Sequence, residues 1–170
     1  NLASEKDKDP LGIFASRLAT MACKAAVKGN HQMSTQEANM LIDELKNIAR
    51  NNGIVGAGGA GFPAYAKMTE KADTVILNCV ECEPLLKLHR QLLATHTEEI
   101  IQMLDEVRES FGAKEAVIGI KSEYVTTIKA IEEVIGDFPN VRICALKAAY
   151  PMGDEVVLIY EATGRVIKPG

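Results

Sequence analysis

Five glycines crowd one short stretch, at positions 53, 56, 58, 59 and 61 of the run GIVGAGGAGFP (Gly53–Pro63). Glycine admits positive φ and lets backbone N–H groups come close to a ligand. Consecutive N–H groups form a concavity that holds anions such as phosphate. Lys67 follows at a distance suited to a phosphate or ring-oxygen contact. The chemistry on offer is recognition of a phosphorylated small molecule, although a tightly turned linker has the same composition. A Walker loop is excluded, because GxxxxGK followed by Ser or Thr is absent. The run does not follow a strand-like segment either, so the ordinary dinucleotide fingerprint is not satisfied.

A second group lies at Asn78–Pro84 (NCVECEP), where two cysteines alternate with Glu81 and Glu83. A CxxC suggests a redox pair or half a metal site. The two carboxylates disfavour thiolates, and no second cysteine pair completes a zinc site. Ordinary loop thiols are the reading adopted. Cys144 alternates into an apolar segment and reads as core. His89 and His96 flank a polar helix, and Glu132-Glu133 marks a solvated helix face. Lys87 and Arg90 read as surface charge, within reach of a phosphate only if the fold brings one there. Cys23 sits on an amphipathic helix and is expected to be buried.

These groups need a scaffold. Apolar residues make up 47% of the 170 and charged residues 25%, an ordinary globular balance that permits a core. Length allows one domain, or one with an appendage. The net charge of −4 falls wholly on residues 48–170, since residues 1–47 carry six basic and six acidic side chains. A mildly acidic domain is a poor general polyanion binder. No apolar run approaches the roughly 20 residues of a membrane span, and no signal peptide opens the chain. The four cysteines read as reduced thiols of an intracellular protein. The first residue is Asn1 rather than Met, as in a fragment or processed product.

Hydrophobic spacing predicts two N-terminal helices. Asp9-Pro10 opens the first, Leu11–Lys28, and Gly29-Asn30 stops it. Ser34–Glu37 is a capping box for the second, which points Ala38, Leu41, Ile42, Leu45 and Ile48 inward and ends near Gly53. After the glycine run, strands are predicted at Thr74–Asn78, Ala116–Ile120 and Val141–Leu146. Helices are predicted at Glu98–Phe111, Tyr124–Ile135 and Glu155–Ala162, each closed by a glycine at 112, 136 or 164. Alternating strands and helices mean crossover connections and a parallel sheet. The expected fold is α/β, with a parallel sheet of about three to four strands, helices on both faces, and two helices ahead of it. In such sheets ligands bind beyond the carboxyl ends of the strands. Here those ends are Asn78–Pro84, Lys121–Tyr124 and Ala148–Glu155.

Four segments in order carry a family resemblance. They are GIVGAGGAGFP with Lys67, NCVECEP, GIKSEY (Gly119–Tyr124), and YPMGDE (Tyr150–Glu155) with Thr163–Val166. Together they resemble the C subunit of the Rnf electron-transport complex and the flavoprotein subunit of respiratory complex I, over about residues 45–170. The resemblance implies FMN in the glycine loop with NADH stacked on its ring. Gly56, Gly58, Gly59 and Gly61 would cradle phosphates, and Phe62 would lie near the nicotinamide or adenine. Lys67 would contact FMN and Asn78 would hydrogen-bond the flavin. Glu81 and Glu83 would bind flavin or ribose hydroxyls, and Gly119 and Glu123 would flank the rings. No general acid or base is required, because the cofactor carries the hydride chemistry. Two departures bear on NADH: complex I has Arg where this chain has Ala57, and an aromatic where it has Met68. Iron–sulfur clusters are expected of the full-length family and not of this chain, which holds no CxxCxxC.

Residues 11–45 resemble instead part of the C-terminal domain of the mismatch-repair protein MutL, with Ala22-Cys23-Lys24 matching its cysteine motif. That implies a hybrid of a helical fragment, 1–45, and an FMN- and NADH-binding domain, 46–170. The companion metal motifs are absent, so metal and nuclease activity are not expected. The expected function is an electron-transfer module of an NADH:acceptor oxidoreductase. The alternative is a catalytically incomplete mismatch-repair fragment that self-associates through its helices. Expected partners are other subunits of a membrane-associated complex and the nucleotide cofactor, without direct nucleic acid. The expected location is the cytoplasm, peripheral to the inner face of the cell membrane through those subunits.

Overall fold

The computed structural model describes residues 35–55, 61–68, 72–83 and 85–166. The helix expected at Leu11–Lys28, the start of the capping box and the Cys23 motif lie outside these residues. The described chain divides into two compact units, one through Asp73 with Glu106–Ala113, the other of Thr74–Asp105 with the residues from Lys114 onward.

In the first unit, helix α1 covers Thr35–Asn51. It buries Ile42, Leu45 and Ala49, spaced three and four apart along one stripe. The helix runs through residues 45 and 46 without a break. Gly53, at φ +64°, ends it. Its N–H donates to the Arg50 carbonyl at 3.2 Å, and that of Ile54 to the Ala49 carbonyl at 2.9 Å. This paired closure satisfies carbonyls that the helix leaves open and suits glycine's tolerance of the left-handed region. The chain then returns on itself across the glycine run. Val55 and Pro63 form an antiparallel bridge, and the Ala64 N–H donates to the Ile54 carbonyl at 2.9 Å. The two ends of the run are therefore pinned together. A 3-10 turn, Ala64–Lys67, follows, and Arg50 lies 4.7 Å over the Tyr65 ring.

The second unit is built on strands β1 (Thr74–Cys79), β2 (Glu115–Lys121) and β3 (Val141–Leu146), in that spatial order. All pairs are parallel; Asn78 stands opposite Gly119, and Gly119 opposite Cys144. Parallel neighbours require crossovers, supplied by α2 (Leu88–Thr95) with α3 (Thr97–Ser110), and by α4 (Val125–Val134). Helix α5 (Glu155–Thr163) closes the domain. The central strand β2 is buried from Ala116 through Ile120, as a strand covered on both faces must be.

Strand periodicity sorts the side chains. Cys79, Ala116, Ile118, Ile120 and Val141 form one core with Leu93 of α2, Ile101 and Leu104 of α3, and Ile131 of α4. Leu146 and the partly buried Ile76 and Cys144 point the other way and pack with Val80 and Leu158 of α5. Helices therefore cover both faces, as expected, and element bounds differ from the expected ones by a residue or two. Helix α5 has strong ends. The Asp154 carboxylate accepts from the N–H groups of Val156 and Val157, and Gly164 closes the far end at φ +72°.

Candidate functional site

The carboxyl ends of β1 and β2 gather most of the candidate residues in the second unit. Asn78 occupies the fifth position of β1. Its Nδ2 donates to the Gly153 carbonyl at 2.9 Å, and its Oδ1 accepts from the Val80 N–H at 3.0 Å. One side chain thus fastens the chain after β1 to the loop before α5, leaving its second N–H for another acceptor. Gly153 makes this approach possible. A side chain there would collide with the Val80 carbonyl oxygen and lie 2.6 Å from Cys82 Sγ.

Glu81 is 4% exposed. Its Oε1 accepts from the His89 N–H at 2.9 Å. Its Oε2 is fully buried and has no hydrogen-bond partner among the described residues. Arg90 Nε stands 3.7 Å from that oxygen, at ion-pair distance. The Arg90 guanidinium also lies 4.5 Å from the centroid of the Tyr124 ring, and Lys121 Nζ lies 5.8 Å from it. Glu83 and Glu123 are exposed, in the loops after β1 and β2.

Gly119 is buried inside β2. A Cβ there would lie 2.6 Å from Leu158 Cδ1, so its missing side chain seats α5. Gly61 has φ +68° and open space around it, and Phe62 is 49% exposed. These two residues belong to the first unit. Gly56, Gly58 and Gly59 lie outside the described residues, and of Lys67 only the backbone is described, in the 3-10 turn.

The CxxC does not behave as a loop pair. Cys79 is the last residue of β1 and part of the main core. Burial, and secondarily the Glu81 charge, push its thiol from 9.0 up to about 12. It is therefore not a thiolate nucleophile at neutral pH. Cys82 is partly buried, with Sγ 3.9 Å from the Val80 carbonyl. Among the described residues, no group of three or more His, Cys, Asp or Glu side chains is placed to hold a metal ion.

Arg90 is the neighbour of Glu81 that sequence reasoning missed; Tyr124 and Gly153 fell within the segments expected at the strand ends but were not singled out. Arg90 read as surface charge because nothing in its spacing from Glu81 announces the pairing. The polar groups at the strand ends suit a flavin by their chemistry. A buried acceptor with no donor, an amide with a spare N–H and two exposed carboxylates fit a ligand rich in hydroxyl and imide groups.

Residues 49–170 match the family described as the Nuo51 FMN-binding domain. The chain is 36% identical to cobalamin reductase PduS of Salmonella typhimurium over 137 residues, covering 81% of this chain and 30% of that protein. It is 34% identical to the C subunit of the Na(+)-translocating ferredoxin:NAD(+) oxidoreductase complex of Acetobacterium woodii, covering 78% and 31%. The C subunit of the ion-translocating oxidoreductase complex of Pseudomonas aeruginosa is 34% identical over 122 residues, 69% of this chain and 16% of that protein. The chain thus spans less than a third of the curated relatives it matches. The longest of these similarities exceeds the family match and so reaches upstream of residue 49. Nothing in these comparisons supports the mismatch-repair resemblance of residues 1–45.

Proposed function

The chain belongs to the family of the Nuo51 FMN-binding domain, and from that membership we propose that it is an FMN-dependent electron-transfer module that takes its electrons from NADH. The observation that carries this reading is the buried Glu81 oxygen without a hydrogen-bond donor, at the carboxyl edge of a parallel sheet. Ligands of such sheets bind at that edge, and a hydroxyl is the donor that such an oxygen lacks.

When bound, FMN supplies hydride acceptance and passage of single electrons. The chain's own residues bind and orient it. Glu81 and Glu83 accept hydroxyl hydrogens of the flavin or of NADH ribose, and Asn78 offers its second N–H to the flavin. The glycine run, with Gly56, Gly58, Gly59 and Gly61, presents backbone N–H groups to phosphates, assisted by Lys67. Phe62 would offer a ring for the nicotinamide or adenine, Glu123 would border the flavin rings, and Gly119, buried against Leu158, would act there through the seating of α5. Two kinds of relative, a cobalamin reductase and subunits of ion-translocating oxidoreductase complexes, use electrons differently by name. The proposed partners are therefore further subunits or segments that receive electrons from the flavin. Among the described residues no helix is long and apolar enough to cross a membrane. Attachment at the inner membrane face, in this reading, comes through those partners.

The test is a titration of FMN with the purified chain, read by flavin fluorescence. Saturable quenching is expected, abolished by Gly58→Val and weakened about tenfold by Glu81→Ala, the size of one hydrogen bond to a charged group. NADH should then bleach the bound flavin under anaerobic conditions. Absence of quenching at micromolar FMN would defeat the flavin reading, and quenching without bleaching would defeat the NADH step alone.

A further inference from the structure

We propose that Arg90 is a positioning residue: laid against the Tyr124 ring, it holds the Glu81 carboxylate in the one orientation that caps α2 with Oε1 and leaves the buried Oε2 without a hydrogen-bond donor until a ligand hydroxyl supplies one. The inference rests on the flavin reading for its ligand and deepens it. A carboxylate removed from water needs hydrogen bonds or a nearby cation. Glu81 has one of each. The His89 N–H serves Oε1, and the guanidinium of Arg90 lies beside Oε2 at 3.7 Å, beyond hydrogen-bond distance. Here the charge is balanced while the acceptor stays unused.

Arg90 is itself fixed from several sides. It is the third residue of α2, its guanidinium stacks 4.5 Å from the Tyr124 ring centroid, and its carbonyl accepts from Thr127 Oγ1 of α4 at 3.2 Å. It therefore ties the loop after β1 to the loop after β2, within one unit. The planar guanidinium can stack and face a carboxylate at once, which an ammonium cannot. Lys121, 5.8 Å from the same ring centroid, supplies a second cation without replacing that fork.

Two measurements test this on the whole chain. His89 is the second residue of α2, where the helix offers its N–H no acceptor. Amide exchange at His89 therefore reports the Glu81 carboxylate alone. Arg90→Gln is expected to speed it about tenfold while the Ile118 amide, in the central strand, stays unchanged as the control for folding. Unchanged exchange at His89 would overturn the positioning role. In the FMN titration, Arg90→Gln should weaken binding about tenfold in the native background and less than about twofold in a Glu81→Gln background, because the two residues act as one unit. Arg90→Lys should recover only part. Equal losses in both backgrounds would overturn the proposal and make Arg90 a direct anion contact. If the native chain binds no FMN, the flavin reading falls, and His89 exchange still decides whether Arg90 orients Glu81.

Discussion

At the scale of single residues, burial decides what each reactive group can do. Glu81 and Glu83 stand two positions apart in sequence, yet one is sealed and ion-paired and the other exposed. Cys79 and Cys82 form a CxxC in sequence, yet the first is a strand residue in the core. Its raised thiol value has a definite consequence for stability. Below pH 9.0 the thiol is protonated in both folded and unfolded chains. Between 9.0 and about 12 only the unfolded chain ionises, so stability is lost as pH rises through that window. Cys79→Ala should lower the urea midpoint near neutral pH, through the lost packing, but flatten its fall between about pH 8 and about pH 10.5. A native chain whose midpoint is as flat as the variant's would show that Cys79 is not sealed from water.

At the scale of elements, helix ends do the positioning. Helix α5 seats Leu158 in the space left by Gly119, and its start is set by the Asp154 cap directly after Gly153, which receives the Asn78 amide. Asp154→Ala should cost about 1 kcal/mol of stability, the usual worth of such a cap, measured by urea denaturation. Asp154→Asn should restore most of it. If alanine cost nothing, the two cap bonds of 3.0 and 3.3 Å would be idle. At the opposite, amino end of the sheet, Arg142 joins β3 to β2 through Glu115 and to α5 through the Ala162 carbonyl. The hydrogen bond to Glu115 holds its guanidinium even further above its usual value. That end is bound for structure, while the carboxyl end keeps a buried acceptor, Glu81 Oε2, without a donor among the described residues.

At the scale of the whole molecule, stability and function draw on different residues. The three-stranded sheet buries Ile118 and Ile120 completely, on the central strand. Ile118→Ala should destabilise by about 2–5 kcal/mol, as truncation of a buried isoleucine does. A two-state urea transition would show it as an earlier midpoint with unchanged slope. A loss below about 1 kcal/mol would mean that the site collapses to fill the gap. The same variant should leave the FMN affinity of the folded fraction nearly unchanged, because Ile118 faces the helices rather than the strand ends.

The three strands, their parallel pairing and the helices Thr97–Ser110 and Val125–Val134 between them were legible in the sequence alone, whereas Leu88–Thr95 was not among the expected helices. Apolar runs and terminating glycines are local signals, and helical crossovers leave parallel pairing as the geometric solution. The order of the motifs, through the family they resemble, also put forward Asn78, Glu81 and Gly119 as site candidates, whose binding role the FMN titration is to test. What those residues touch emerges only in the assembled fold. Arg90 is nine positions from Glu81 and 34 from Tyr124 along the chain, and no periodicity joins the three. Only the folding of α2 and the loop after β2 onto the carboxyl end of β1 brings them together. Side-chain burial is likewise a property of the assembled layers, so the CxxC could be read as a pair until β1 carried Cys79 into the core.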